Sequence, residues 1–281
     1  MLLYGEYTVT IGSGALALPY LGYSGSWTYN NFHNQKEDGL QRLAAYLESN
    51  PYFQSIYDIA RFLHDIADGI EFVSNIPTGY GLGSSGALVA AFYDRYCFSP
   101  TSDLNLLRSI LGATESAFHG ASSGLDPLVS YLNEGILIQD SGSIEKIDLD
   151  IHDSGYFLID TGIPRHTEYY VDLFKQKIKK SIPFSQAVLL LAKENKRAIH
   201  ATLTKDKLAI YQSTKAISKI QLEHFGEMIP DKFQELWMLG LRTDDFCLKL
   251  CGAGGGGMIL GLLSDPMTNI DFITNVKTIR I

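Results

Sequence analysis

Three glycines at alternate positions, Gly79, Gly81 and Gly83, stand directly before a segment with a helical pattern. Glycine lets a backbone approach a ligand closely and point several N–H groups at it. The start of the helix adds unpaired N–H donors and the positive end of the helix dipole. Ser84 and Ser85 follow in the first turn, where a hydroxyl can coordinate Mg²⁺ beside phosphates. The segment indicates a phosphate-binding loop, with a tight structural turn as the plain alternative.

The residues on either side place this loop between a strand and a helix. Residues 70–76 have the apolar character of a strand, and residues 84–96 carry apolar side chains at helical spacing. The loop lacks the Lys-Ser/Thr end of a Walker A loop, and its glycines are not spaced as in the Rossmann fingerprint. Neither of those two nucleotide-binding patterns is therefore indicated.

Apolar periodicity divides the rest of the chain into short strands and longer helices. Further strands are predicted over residues 7–11, 15–21, 24–29, 135–139, 144–149, 156–160, 258–263 and 270–281. Helices are predicted over residues 40–48, 53–66, 126–132, 167–180, 185–201, 205–224 and 231–248, and one capped by Ser102 or Asp103 runs to residue 118. A boundary near residues 152–155 divides an N-terminal domain, 1–152, from a C-terminal domain, 153–281. The mixture indicates an α+β fold with two lobes.

The balance of charges argues against nucleic acid as a partner. The chain carries 23 Lys and Arg against 31 Asp and Glu, a net charge of −8, and its basic residues are scattered. Its three cysteines share no metal-ligand spacing, so we expect a reducing cytoplasm and neither a disulfide framework nor a zinc site. The sequence shows no signal-peptide pattern and no apolar run long enough to cross a bilayer. We therefore expect a cytoplasmic protein that contacts no membrane.

Three motifs, in the same order along the chain, resemble those of the GHMP kinases. The glycine loop extends to Pro-x-Gly-x-Gly-Leu-Gly-Ser-Ser over residues 77–85; Gly5-Glu6-Tyr7 with residues 14–17 resembles the N-terminal motif, and residues 249–257 the C-terminal glycine motif. Residues 115–120, 123–127 and 160–167 are most similar to mevalonate kinases within that superfamily. The resemblance implies an N-terminal lobe like ribosomal protein S5 domain 2 and a ferredoxin-like C-terminal lobe.

The resemblance also implies which residues handle ATP and Mg²⁺. Mg·ATP chemistry needs one carboxylate for the metal and a second near the acceptor. Ser85 and Glu115 are assigned to the metal, and Asp126 to the acceptor hydroxyl. The backbone of both glycine loops is assigned to the nucleotide, at Gly79, Gly81, Leu82, Gly83, Ser84, Ser85, Gly254 and Gly255. From the local pattern alone, Glu115 would be an exposed helix glutamate and Asp126 a helix N-cap followed by Pro127.

Four further residues are assigned by the same resemblance to the acceptor substrate: Glu6, Tyr7, Arg165 and Thr167. Arg165 can pair with a carboxylate or a phosphate, and the Thr167 hydroxyl can donate a hydrogen bond. Local alternatives remain open for three of them. These are an edge-strand surface charge for Glu6, a surface ion pair for Arg165 and a helix cap for Thr167.

The implied activity is ATP-dependent transfer of the γ-phosphoryl group to a hydroxyl of a small molecule, with mevalonate as the acceptor. A phosphomevalonate or sugar kinase of the same superfamily is an alternative, because Tyr7 stands where mevalonate kinases carry histidine. We expect a hydroxy acid or a sugar as the small-molecule partner and leave a homodimer open.

A nucleotide-binding sensor with weak turnover is the third hypothesis. Mevalonate kinases carry a lysine six positions before the glutamate of the first motif, and counting back from Glu6 gives position 0. Such a lysine would polarise the acceptor hydroxyl and offset phosphate charge. A mis-assigned start and substitution by another cation both remain open as explanations.

Overall fold

The computed structural model describes residues 1–30, 39–120, 122–152, 154–165, 167–270 and 276–281. Two compact units divide the chain. The sheet unit comprises Met1–Leu18, Thr78–Leu82 and Gly135–Ile281, and the helix unit comprises Pro19–Pro77 and Gly83–Glu134. These units differ from the predicted domains 1–152 and 153–281, because residues 1–18 belong to the same unit as the C-terminal part of the chain. The two domains stay a prediction.

Both strands and helices occur in each half of the described chain. The strands are β1 Leu2–Tyr4, β2 Ala15–Ala17, β3 Gly25–Tyr29, β4 Ile70–Ser74, β5 Gly135–Ile138, β6 Ile144–Ile147, β7 Tyr156–Asp160, β8 Phe246–Leu250, β9 Met258–Leu263 and β10 Lys277–Arg280. The α-helices are α1 Gly39–Ser49, α2 Ile59–Ala67, α3 Ser84–Tyr96, α4 Leu104–His119, α5 Leu125–Leu132, α6 Thr167–Lys180, α7 Ile182–Leu203, α8 Lys207–His224 and α9 Asp231–Thr243. Short 3₁₀ helices cover Thr8–Ile11, Pro51–Ser55 and Gly226–Met228.

The sheet unit contains two antiparallel four-stranded sheets. Their strand orders are β1-β2-β5-β6 and β10-β7-β9-β8. In the second sheet, the central strands β7 and β9 are buried along almost their whole length, as their continuous apolar runs require. Helices α8 and α9 contact β8. They contribute Ile217 and Trp237, which are fully buried, to the core of this unit.

The helix unit packs α1 to α5 with the antiparallel pair β3 and β4. Its core is aromatic, with edge-to-face contacts that join Tyr57, Phe62 and Phe92. Helices α3 and α5 approach each other closely at Gly86, where an added Cβ atom would lie 2.8 Å from the backbone nitrogen of Pro127. This contact fixes the start of α3 against the start of α5.

Several predicted elements are confirmed, together with the α+β class. The helices predicted over residues 84–96 and 167–180 are α3 and α6, and the strands predicted over residues 135–139 and 144–149 are β5 and β6, which pair antiparallel. Asp103 caps α4, because its carboxylate accepts hydrogen bonds from the backbone N–H groups of Asn105 and Leu106. No helix of the described residues is long and apolar enough to span a membrane.

Other element predictions are wrong or incomplete. Residues 8–11 form a 3₁₀ helix and not a strand, because the backbone turns at Gly5 and Tyr7, where φ is 113° and 62°. The helix predicted over residues 53–66 is a 3₁₀ helix followed by α2. The helix predicted over residues 231–248 ends at Thr243, after which β8 begins. Of the strand predicted over residues 270–281, β10 is described and residues 271–275 lie outside the described residues.

Candidate functional site

The first glycine loop has the backbone conformation that its glycines predict. Gly79, Gly81 and Gly83 have φ angles of 79°, 70° and 72°, in the left-handed region that other residues rarely adopt. Gly83 is the N-cap residue of α3. Ser84 and Ser85 therefore both lie in the first turn of α3.

Within the helix unit, Ser85 meets a carboxylate from α4. Its Oγ donates a hydrogen bond to Glu115 Oε1 at 2.8 Å. A second hydroxyl, from Ser122, donates to Glu115 Oε2. Glu115 is 6% exposed, so it is not the exposed helix glutamate that the local pattern suggested. A buried carboxylate needs such partners, because an unpaired buried charge is costly.

Burial and a neighbouring charge act together on Glu115. Burial, and to a smaller extent the charge of Asp126, raise the pKa of Glu115 to about 7, while the hydroxyls of Ser122 and Ser85 lower it. The two carboxylates are therefore close enough to repel each other. Such a pair favours a cation, which would remove the repulsion.

Asp126 is the second residue of α5, and the N-cap of that helix is Gly124. The interpretation of Asp126 as an N-cap is therefore wrong. An added Cβ atom on Gly83 would lie 3.3 Å from the Asp126 Cβ and 3.5 Å from its Cγ. The helix unit thus brings together Ser85, Glu115 and Asp126 around the first turn of α3.

The chemistry of this donor set fits Mg²⁺. The described residues contain no group of three or more His, Cys, Asp or Glu that could hold a metal alone. Mg²⁺ does not require one, because it is usually held by one or two carboxylates together with phosphates and water. The hydroxyl of Ser85 and the carboxylate of Glu115 are hard oxygen donors of that kind.

The second glycine loop, residues 251–257, lies in the sheet unit, and packing explains its glycines. Gly254 and Gly255 have φ angles of 73° and 77°. An added Cβ atom would lie 2.4 Å from the Met228 carbonyl oxygen at Gly254, and 1.9 Å from the Tyr170 ring at Gly255. The loop therefore has no room for side chains at these two positions.

Arg165 joins the two glycine loops within the sheet unit. Its Nη1 donates to the carbonyl oxygen of Cys251 at 2.7 Å, and its backbone N–H donates to that of Gly79 at 3.0 Å. An added Cβ atom would lie 2.1 Å from the guanidinium at Gly81 and 2.8 Å at Gly252. Arg165 is half-buried and bonds to backbone carbonyl oxygens of both loops, so these contacts are not those of a surface ion pair.

Glu6 and Tyr7 also reach the second loop. Glu6 is 1% exposed and forms a salt bridge with Lys249, whose side chain is 0% exposed, so Glu6 is not an edge-strand surface charge. Burial raises the pKa of Glu6, and Lys249 opposes that shift. The Tyr7 hydroxyl donates to the carbonyl oxygen of Ala253 at 2.5 Å, and its ring stacks on Phe174.

Thr167 is the fourth residue that the resemblance assigns to the acceptor substrate. It is the first residue of α6, two positions after Arg165. Thr167 therefore belongs to the helix, and the interpretation of Thr167 as the cap before that helix is not confirmed. The sheet unit thus gathers Glu6, Tyr7 and Arg165 around the second glycine loop.

Sequence reasoning gave no role to two residues that the structure places in these clusters. Lys249 lies in the buried strand β8, and a lysine inside the apolar run 246–250 was the available signal of a buried partner. Ser122 lies in a polar loop, and nothing in its sequence context pointed to Glu115.

Comparison with known proteins finds the same similarity that the motifs indicate. Residues 41–134 match the family model of the GHMP kinases N terminal domain. A relative named mevalonate kinase, from Pyrococcus abyssi, is 26% identical over an alignment that covers 93% of this chain and 86% of the relative. The resemblance to GHMP kinases, and to mevalonate kinases among them, is confirmed.

Two solved structures are similar in fold. The L. major mevalonate kinase in complex with R-mevalonate has a TM-score of 0.62 at 18% identity, with 93% of this chain and 84% of that chain covered. The Streptococcus pneumoniae phosphomevalonate kinase in complex with phosphomevalonate and AMPPNP has a TM-score of 0.64 at 14% identity, with 94% and 90% covered. At these identities the likeness shows the fold.

Proposed function

Since the chain resembles the GHMP kinases in its motifs, its family-model match and its fold, we propose that it transfers the γ-phosphoryl group of ATP to the hydroxyl of mevalonate. The observation that carries the proposal is the buried Glu115 carboxylate, held by Ser85 and close to Asp126. The choice of mevalonate is supported by the name of the Pyrococcus abyssi relative and by the L. major complex with R-mevalonate.

Ser85 and Glu115 would hold Mg²⁺, and backbone amides of residues 79–85 would hold the phosphates of ATP. The bound metal supplies charge neutralisation for the phosphoryl group that is transferred. The protein contributes pre-organised donors. The proposal is supported by the left-handed conformation of the loop glycines and by the hydrogen bond between Ser85 and Glu115, the two proposed metal ligands.

Asp126 would orient the acceptor hydroxyl and accept its proton. This role is supported by the position of Asp126 near the start of α5, where its carboxylate lies against Gly83, the residue that precedes α3. No covalent phosphoenzyme is needed, because positioning and charge stabilisation account for most catalysis of phosphoryl transfer.

Arg165, Thr167 and Tyr7 stay proposed residues of the acceptor side, where a cation and two hydroxyls suit a hydroxy acid. Glu6 is buried and paired with Lys249, which supports an indirect role through the second glycine loop. The second loop, with Gly254 and Gly255, would approach the nucleotide through its backbone.

A phosphomevalonate kinase is the second candidate. It is favoured by the fold likeness to the Streptococcus pneumoniae enzyme in complex with phosphomevalonate and by a guanidinium, that of Arg165, which can pair with a phosphate. A sugar kinase and a nucleotide-binding sensor remain the further alternatives. The retention of two neighbouring carboxylates argues for turnover, because a sensor has less use for both.

A coupled ADP-release assay with a panel of acceptors tests the proposal. Mevalonate, phosphomevalonate and several sugars would each be supplied with Mg·ATP, and the rate without acceptor subtracted. We expect mevalonate to give the highest kcat/KM, and Glu115→Gln to remove the acceptor-dependent rate. A faster reaction with phosphomevalonate or a sugar would select that alternative, and ADP release that no acceptor increases would contradict kinase activity.

A further inference from the structure

Ser122 contacts the Glu115 carboxylate of the helix unit and has so far been given no role in the site. Its Oγ donates to Glu115 Oε2 and accepts the backbone N–H of Gly124 at 2.9 Å. A serine hydroxyl has a single proton to donate. Because the Gly124 N–H occupies a lone pair of the oxygen, that proton is directed at Glu115.

The two oxygens of Glu115 are held by hydroxyls from different parts of the chain. Ser85, at the start of α3, bonds Oε1, and Ser122, in the segment between α4 and α5, bonds Oε2. Ser85 is itself a proposed metal ligand, whereas Ser122 is not. The contact with Ser122 therefore fixes the carboxylate independently of the other ligand.

The same serine also anchors the start of α5. Gly124 is the N-cap of α5 and has a φ of 70°, two residues before Asp126. The segment is pressed against α4, since an added Cβ atom on Gly124 would lie 2.3 Å from the carbonyl oxygen of Arg108. Ser122 thus links the Glu115 carboxylate to the turn that carries Asp126.

We propose that Ser122 is a positioning residue of the phosphoryl-transfer site. It holds the Glu115 carboxylate in the orientation that receives Mg²⁺ and connects this carboxylate to the start of α5, the helix that carries Asp126. The inference rests on the proposed function and adds a residue that acts through Glu115. Hydrogen-bond partners of metal ligands commonly change metal affinity or activity by about 10- to 100-fold when removed.

Isothermal titration with AMPPNP, with and without Mg²⁺, tests this role without turnover. The quantity compared is the gain in nucleotide affinity that Mg²⁺ produces. We expect Ser122→Ala to reduce this gain by about 10-fold relative to the unaltered protein and to leave the affinity for Mg²⁺-free AMPPNP unchanged. Ser122→Thr keeps the hydroxyl and should keep the gain.

Two further variants separate orientation from folding. Ser109→Ala is the matched control, because Ser109 is a serine of α4 that lines the same surface groove and bonds to the carbonyl oxygen of Asn105. It should behave as the unaltered protein. Ser122→Cys keeps a side chain of similar size with a weak donor, so it should lose the gain even if Ser122→Ala proves too unstable to measure.

The outcomes distinguish this inference from the proposed function. If Mg²⁺ strengthens nucleotide binding equally in the unaltered protein, Ser122→Ala and Ser122→Cys, the positioning role is wrong and the kinase proposal stands. If the unaltered protein binds AMPPNP with no gain from Mg²⁺, or binds no nucleotide, the metal role of Glu115 fails, and the role of Ser122 fails with it.

Discussion

Replacement of Lys249 by methionine should destabilise the sheet unit far more than the loss of a surface ion pair. The Glu6 and Lys249 side chains are 1% and 0% exposed, so Lys249→Met leaves a buried carboxylate without its cation. Breaking a buried pair by removing one partner costs about 3 to 5 kcal/mol. The surface pair Lys196–Asp140, with side chains 71% and 47% exposed, supplies the control, and Lys196→Met should cost at most about 1 kcal/mol.

Urea unfolding followed by tryptophan fluorescence measures the difference. The chain has two tryptophans, and Trp237 is buried in the sheet unit whereas Trp27 lies in the helix unit. A Trp27→Phe background therefore makes the fluorescence report on the sheet unit. The double variant Glu6→Gln, Lys249→Met should recover most of the loss, because it leaves no unpaired charge.

The loss should also depend on pH. Without Lys249, burial raises the pKa of Glu6 further, because only backbone hydrogen bonds then oppose the shift. A carboxyl group with a raised pKa in the folded state is destabilising above its ordinary pKa, so the deficit of Lys249→Met should shrink as the pH falls. A loss below about 1 kcal/mol, equal to that of Lys196→Met and independent of pH, would refute the reasoning.

Two other perturbations have expected results. Burial raises the pKa of Glu115 from 4.5 to about 7, so metal-free protein should lose about 3 kcal/mol of stability as the pH rises from 4.5 to 7, relative to Glu115→Gln; parallel curves in urea unfolding would contradict this. Gly255→Ala meets the Tyr170 ring, whereas Gly12→Ala, also at positive φ, has nothing within 4 Å. Each substitution should lower the free energy of unfolding by about 1 kcal/mol, because alanine is strained at positive φ. Gly255→Ala should lower it by about 1 to 3 kcal/mol more in the same unfolding assay, because its Cβ atom clashes with the ring. Equal losses for the two variants would contradict this clash.

Local patterns predicted the elements whose determinants are local. Helix α3 begins and ends where the glycine loop and the apolar spacing place it, and strands β5 and β6 lie where the apolar pattern predicts strands. The 3₁₀ helix at residues 8–11 was missed, because the positive φ of Tyr7 is not a preference of tyrosine.

Which segments of the chain belong to each unit could not be predicted from the local sequence pattern. Strand β2 pairs with β5 across more than a hundred residues, and Glu6 pairs with Lys249 across 243 positions. Such partners depend on the assembled fold and leave no trace in periodicity. The site was partly predictable through motifs: Ser85, Glu115 and Asp126 were assigned by resemblance and are found together, whereas the contact of Ser122 with Glu115 required coordinates.

The most direct test of phosphoryl transfer at this site follows the label of [γ-³²P]ATP into mevalonate, for the unaltered protein and for Asp126→Asn. We predict labelled phosphomevalonate from the unaltered protein and a rate at least about 100-fold lower from Asp126→Asn, with the affinity for Mg·AMPPNP retained. Full transfer by Asp126→Asn would contradict the role given to this carboxylate, and no transfer to mevalonate by the unaltered protein would contradict the proposed activity.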